Sequence, residues 1–162
     1  MVDRRRRRGD RGSAVVFVPA AVLILLMLGA LAVDLTVAYL ARHQLDDAAA
    51  SAANDAVTAG LDLAAFDADG RYQLDEARVD AVVLHSLAAR HDPVVDRAIA
   101  EETISVVIVQ NGDPTRPAEV TVTIRSRADL VFMKAVPGLS STMGVTATAT
   151  ATAVVGPIDE TP

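Results

Sequence analysis

The stretch from Ala14 to Val33, AVVFVPAAVLILLMLGALAV, constrains this chain more than any other. It carries no charge and no strongly polar side chain. About 20 residues of helix rise about 30 Å, the thickness of a bilayer's hydrocarbon core. Arg4 to Arg8 and Arg11 stand just before it, and Asp34 stands just after. A helix satisfies its own backbone hydrogen bonds and can lie in lipid, where a loop could not. By the positive-inside rule, the arginines hold the N-terminus on the cytoplasmic side. The expectation is a single-pass cell-membrane protein whose chain beyond Asp34 lies outside the cytoplasm.

Two other readings of the stretch compete. A buried core helix is rarely apolar all round for this length. A cleavable secretory signal shares the basic start and the apolar run, and Ala30-Leu31-Ala32 is an A-x-A site. Against cleavage, the run is long for a signal, and helical character continues past the site without a break. The retained anchor is therefore the main expectation. The alternative is a secreted or anchored extracytoplasmic binding module cleaved after Ala32. The arginines alone do not make a twin-arginine export signal.

The net charge of −6 hides an asymmetry. Residues 1–13 hold 6 Arg and 2 Asp, while the rest holds 9 Lys and Arg against 19 Asp and Glu. A soluble nucleic-acid binder concentrates positive charge on its folded domain. Here the basic cluster precedes a membrane span, which points to topology and anionic-lipid contact instead. The chain has no Cys, so neither disulfides nor thiol chemistry are available. It has no Trp and few aromatics, so its core must be built from Ala, Val, Leu and Ile.

Past Asp34 the helical pattern continues through DLTVAYLARHQLDDAAASAANDAVTAGL. Leu40, Ala41, Leu45, Ala48, Ala49, Ala52, Ala56 and Ala59 recur at three- and four-residue steps, with Gly60 as the stop. Such a stripe of small residues fits equally the core of its own domain and a closely packed partner helix. Pro19 should kink the helix within the span. LDLAAFDADGRYQ is a turn-rich connection. LDEARVDAVVLHSLAARH predicts a second helix, with Leu74, Ala77, Val79, Val82, Val83, Leu87 and Ala88 apolar, ended by Pro93. The period then switches. TISVVIVQ, EVTVTIRSR and VTATATATAV read as strands, with a turn at Asn111-Gly112-Asp113-Pro114. Val120, Val122 and Ile124 face one way; Thr121, Thr123 and Arg125 face the other. Between the last two strands, ADLVFMKAVPG predicts a crossover packing Leu130, Phe132 and Met133. The final strand, with small inward Ala147, Ala149 and Ala151, is expected at or near the sheet centre.

The fold class is thus α+β. The transmembrane helix extends into a long helix, and a second helix covers the dry face of a small antiparallel sheet. The expected division is a basic cytoplasmic head over 1–13, a transmembrane helix over 14–33 and an extended helix over 34–60. An extracytoplasmic α+β domain over 61–156 and a tail over 157–162 complete it.

The basic start, RGSAVVFVP, the apolar run, VDLTVAYLARHQLDDAAASAANDAVTAG and the Val/Ala/Thr tail together resemble the TadE/TadG-like family. These are small membrane-anchored proteins of tight-adherence (Flp) pilus assembly. The match lies mostly in about Arg11 to Gly60, and the downstream domain agrees in style only. The resemblance implies a minor-pilin-like or pseudopilin-like role without catalysis, alongside other pilus-assembly or secretion proteins. Pilin-like proteins are usually cut after a glycine and carry a glutamate near the fifth mature position. Gly12 and Ser13 match such a processing site, whereas Phe17 stands where the acid would be. That departure points to the TadG-like end of the family, where the helix serves as an anchor.

Little in the sequence points to chemistry. His85 and His91 are six apart, not the one-turn spacing that brings two imidazoles to one metal, and His43 is remote from both. Asp67, Asp69 and Gly70 match a calcium loop only in part, because Arg71 and Gln73 follow where ligands are needed. An Asp-Gly turn explains them. No serine sits in a nucleophile elbow, and no glycine-rich phosphate loop occurs. The expectations are a non-enzyme without metal, cofactor or small-molecule substrate, with membrane lipid and other proteins as partners and no nucleic acid. Asp34 remains, either as a contact for a charged group on a partner or as a marker of the water interface.

Overall fold

The structure is a computed structural model. It describes residues 10–62, 64–65, 73–110 and 117–153, residues 10–16 by their backbone alone. The arginines from Arg4 to Arg8, the Asp67-Asp69-Gly70 segment, the Asn111–Pro114 turn and the tail lie outside the described residues.

One helix dominates. Helix α1, Asp10–Ala59, is 50 residues long and so extends about 75 Å. Pro19 lies inside it without ending it. From Phe17 to Val33 its side chains are exposed, Ala30 alone being half-buried, and Leu25 and Leu26 are 67% and 68% exposed. Among the described residues nothing buries this segment, which does not fit a buried core helix. An apolar helix this long and this bare is compatible with a single membrane span.

Beyond the apolar segment the same helix becomes a core element. Ala38, Ala41, Leu45, Ala48, Ala49, Ala52, Ala53, Ala56 and Val57 are buried, following the three- and four-residue steps of a helical seam. The predicted stripe is therefore largely inside, except that Leu40 and Ala59 are exposed. The stripe packs against its own domain, touching both the sheet and the following helix. Gly60 follows the last turn, and its amide donates to the Ala56 carbonyl at 2.8 Å. Its backbone is not left-handed. A Cβ there would press into the Ala56 carbonyl and a Val79 methyl, so the close approach of the next helix is what demands glycine.

Helix α2, Glu76–Ala88, starts at Asp75, whose carboxylate accepts from the amides of Ala77 and Arg78. It buries Val79, Val83 and Leu87. Helix α3, Pro93–Ala100, was not expected from the sequence. Asp92 caps it by accepting from Val94 and Val95, and Pro93 occupies the first turn, where a missing N–H costs nothing. The proline that ends one helical pattern here starts another.

Strands β1 (Ile104–Val109), β2 (Glu119–Asp129) and β3 (Thr142–Thr152) form one antiparallel sheet in the order β1-β2-β3. The α+β class stands. Two finer expectations do not. The last strand is an edge, and β2 is the centre, pairing Val122 with Val106 on one side and Ala149 on the other. The sheet is covered by α1, with α3 over β2, whereas α2 packs mainly on α1 and α3. The alanine seam explains this: small side chains let α1 approach the sheet closely, so α1 takes the face expected for α2. Val120, Val122 and Ile124 point into this core. On the wet face, threonine hydroxyls hydrogen-bond across strands, Thr121 to Thr150 at 2.9 Å and Thr123 to Thr148 at 3.1 Å.

Ala52 is fully buried and Ala50, two residues away, is exposed. Ala52→Leu should overpack the seam and cost about 1–3 kcal/mol. Ala50→Leu should change stability by about 0.5 kcal/mol or less. Denaturant unfolding of the two variants reads the difference directly.

Candidate functional site

The connection from β2 to β3 runs over 130–141, and at its base the Leu130 amide donates to the Ser141 carbonyl at 2.9 Å. Its middle contains a short 3-10 turn, Met133–Ala135. This loop meets α1 where the apolar segment ends, and Asp34 makes the joint.

Asp34 is only 3% exposed and occupies the first rung of the α1 seam, one turn before Ala38. One carboxylate oxygen, Oδ1, accepts from the Val131 amide at 2.7 Å and from the Phe132 amide at 3.0 Å. The other, Oδ2, accepts from Met133 at 2.8 Å and more weakly from Phe132 at 3.3 Å. Three successive amides thus converge on one side chain, across 97 to 99 residues of sequence. All partners are donors, so the set suits a charged, acceptor-only carboxylate. Burial pushes the Asp34 carboxyl up, but the amides of Phe132, Met133 and Val131 and the charge of Lys134 outweigh it. Its pKa is held below the usual aspartate value.

The loop is apolar on its outside. Val131, Phe132 and Val136 are each 46% exposed, and Leu139 is 51% exposed. Leu130 turns into the core as expected, but Phe132 does not. Between loop and helix lies an open cleft of about 570 Å³. Leu23, Leu26, Met27, Ala30, Leu31 and Asp34 line it from α1, and Phe132, Met133, Val136 and Leu139 line it from the loop.

At the other side of the loop's root, the Arg97 guanidinium donates to the Arg127 carbonyl and to Asp129, both at 2.7 Å. The Asp129 carboxyl is lowered chiefly by its hydrogen bond from Arg97, against a smaller effect of burial. The Ser126 hydroxyl donates to the Val94 carbonyl at 2.7 Å. These contacts fix α3 to the C-terminal half of β2.

The remaining candidates stay apart. His43 stacks on Tyr39 and lies 3.9 Å from Asp47 on the exposed side of α1. His85 lies in the last turn of α2, and His91 sits in the turn after it with a φ of 51°. Among the described residues, no three His, Cys, Asp or Glu side chains cluster as metal ligands would. A second groove, between α1 and α2, holds an exposed hydrogen bond of 2.6 Å from Ser86 to Asp55. Gly12 and Ser13 fall in the first turn of α1. The chain matches no protein-family model, no curated protein and no solved structure.

The sequence singles out Asp34 but not what it binds. Its carboxylate is engaged by its own domain, a third role beside the partner contact and the interface marker. The one signal for the loop is compositional: VFMKAVPGL is too apolar for an ordinary surface connection.

Asp34→Ala should release the loop, and the amides of Val131, Phe132 and Met133 should exchange with solvent about tenfold faster or more. The sign of the pH effect follows from the depressed pKa. Stabilisation is present above the unfolded aspartate pKa and is lost as pH falls through the lower folded value. Protection of the three amides should therefore decline below about pH 4 in the native protein. Asp34→Asn should show no such decline.

Proposed function

We propose that this protein is a single-pass membrane protein with its N-terminus in the cytoplasm and its α+β domain outside. On this reading it is an accessory, minor-pilin-like or pseudopilin-like component of Flp-type pilus assembly or secretion. The carrying observation is that an exposed apolar helix runs without a break into the core helix of the domain. A cleavable signal has no reason to be continuous with the domain's main structural element. Release after Ala32 would leave Asp34 as the second residue of the new chain, on a fraying helix end. Its three amide contacts would then hang from the least ordered part of the domain. That argues for retention of the anchor.

The pilus assignment is supported by the resemblance of the N-terminal half to the TadE/TadG-like family. Within that family, Phe17 in place of an acidic residue favours a permanent anchor over a filament subunit. A charge in lipid is expensive and persists where a function requires it, and here none is kept. A non-catalytic role is supported by the Asp34 site. Its oxygens are taken up by backbone amides, so it holds a loop and offers no free base.

Two measurements test the reading. A fluorescent protein that matures only in the cytoplasm, fused after Pro162, should stay dark in the native host; a bright fusion inverts the topology. Intact mass of the membrane-extracted protein should show residues 1–12 still attached, with surface filaments lost on gene deletion. A species beginning at Ser13 in sheared pili would make the chain a true minor pilin. One beginning at Val33 would establish the secreted module.

A further inference from the structure

The loop that Asp34 holds has the features of a membrane contact in its own right. Its exposed large apolar side chains are Val131, Phe132, Val136 and Leu139, in a domain whose open sheet face is mixed, with threonines and arginines beside Val107 and Val109. Its position is set by the cleft, where it faces α1 from Leu31 back to Leu23. Those residues precede Asp34 by 3 to 11 positions. At helical rise the cleft therefore extends about 5 to 16 Å from Asp34 towards the middle of the apolar segment. The seam that packs the domain at Ala38, Ala41 and Leu45 continues here as Leu23, Met27 and Leu31, but with the loop standing off it.

Backbone entering lipid must satisfy its amides internally. Six of this loop's eight amides are satisfied within the protein. Val131, Phe132 and Met133 donate to Asp34. Ala135 donates to the Phe132 carbonyl, Val136 to Met133 and Leu139 to Val136. Pro137 has no N–H to satisfy. Lys134, exposed at the tip, has the long stem and terminal charge that reach back to anionic headgroups from a shallow apolar segment.

We propose that residues 131–139 insert into the leaflet nearest the domain, and that phospholipid acyl chains fill the cleft between this loop and α1. The proposal rests on residues 14–33 being a membrane span. A lone helix leaves a domain free to rotate about its axis. A second contact, joined to the helix by Asp34, fixes the rotation and tilt of the sheet relative to the bilayer. The open sheet face is then presented in one direction.

The chain has no cysteine, so single-cysteine variants can be labelled uniquely. Leu26→Cys, in the span, Val136→Cys, in the loop, and Ala81→Cys, on the exposed side of α2, would each carry an environment-sensitive fluorophore. All three sites are exposed, so the labels should not disturb the core. Each full-length variant is placed one copy per phosphatidylcholine nanodisc, with acyl-chain-brominated lipid as quencher. Labels at 26 and 136 should both emit to the blue and be quenched severalfold more than the label at 81. Quenching at 26 with none above the level of 81 at 136 would overturn the inserted loop and leave the anchor standing. Absence of quenching at both 26 and 136 would overturn the anchor and the loop together. Shielding of 136 from lipid that appears only when two copies share a disc, with quenching in single-copy discs, would support insertion and reveal self-association as a competitor.

Discussion

One helix carries both a bare apolar segment and the core of the domain, and the rest of the protein follows from how it does so. Along α1 the same face is apolar throughout, but the size of its side chains changes at Asp34. Before it, Leu23, Met27 and Leu31 are large, and beyond it the seam is almost all alanine. Large side chains suit lipid, which packs round any shape. Alanines suit protein, because they let a sheet and a second helix come near the same backbone. Each buried alanine removes little apolar area, so no single contact in this core is strong. Continuity compensates: the core extends along nearly half of α1, and Val120, Val122, Ile124 and Leu87 supply bulk from the other side.

Asp34 stands at the change of regime, and its chemistry fits that position. A loop held against an apolar helix segment has amides cut off from water. A carboxylate with two oxygens can answer three of them at once, which a neutral side chain cannot do as well. The charge is buried by the protein yet compensated by donors, so it needs no ion-pair partner at short range. A glutamate would place its oxygens one methylene farther out, and an asparagine would turn one acceptor into a donor facing an amide. The site is therefore specific to aspartate, although the sequence around it is otherwise plain apolar helix.

Much of this was legible in the sequence, and the misses are physically coherent. The long helix, its buried stripe and the three strands follow from period alone, because burial on one face imposes period in the sequence. Leu40 was misplaced since a leucine and an alanine count alike in a binary pattern, while the interface here selects for small size. Helix α3 was hidden by Pro93, read as a stop although Asp92 before it is a cap and proline is favoured in a first turn. The strand order was misjudged because β3 alternates best. Alternation reports one wet face and says nothing of how many neighbours a strand has. The pairing of Asp34 with residues 131–133 lies beyond any local pattern, because nothing near Asp34 distinguishes an amide-binding carboxylate from a solvated one.

The two edges of the sheet are treated differently, and this bears on which way the domain can face. At β1, Val107 and Val109 are 52% and 45% exposed on an open edge strand. At β3, Thr148 and Thr150 on the open face are bonded to β2 through their hydroxyls. Exposed valines on an edge strand invite pairing or aggregation more than threonines whose hydroxyls are satisfied. A domain held only by a rotating helix would present both edges to every neighbour in the membrane plane. If α1 and the 131–139 loop both engage the bilayer as proposed, rotation is lost, and the exposure of β1 becomes a property of direction. On the proposed reading, the clamp at Asp34 thus does more than order a loop. It determines which edge of the sheet another assembly component can approach.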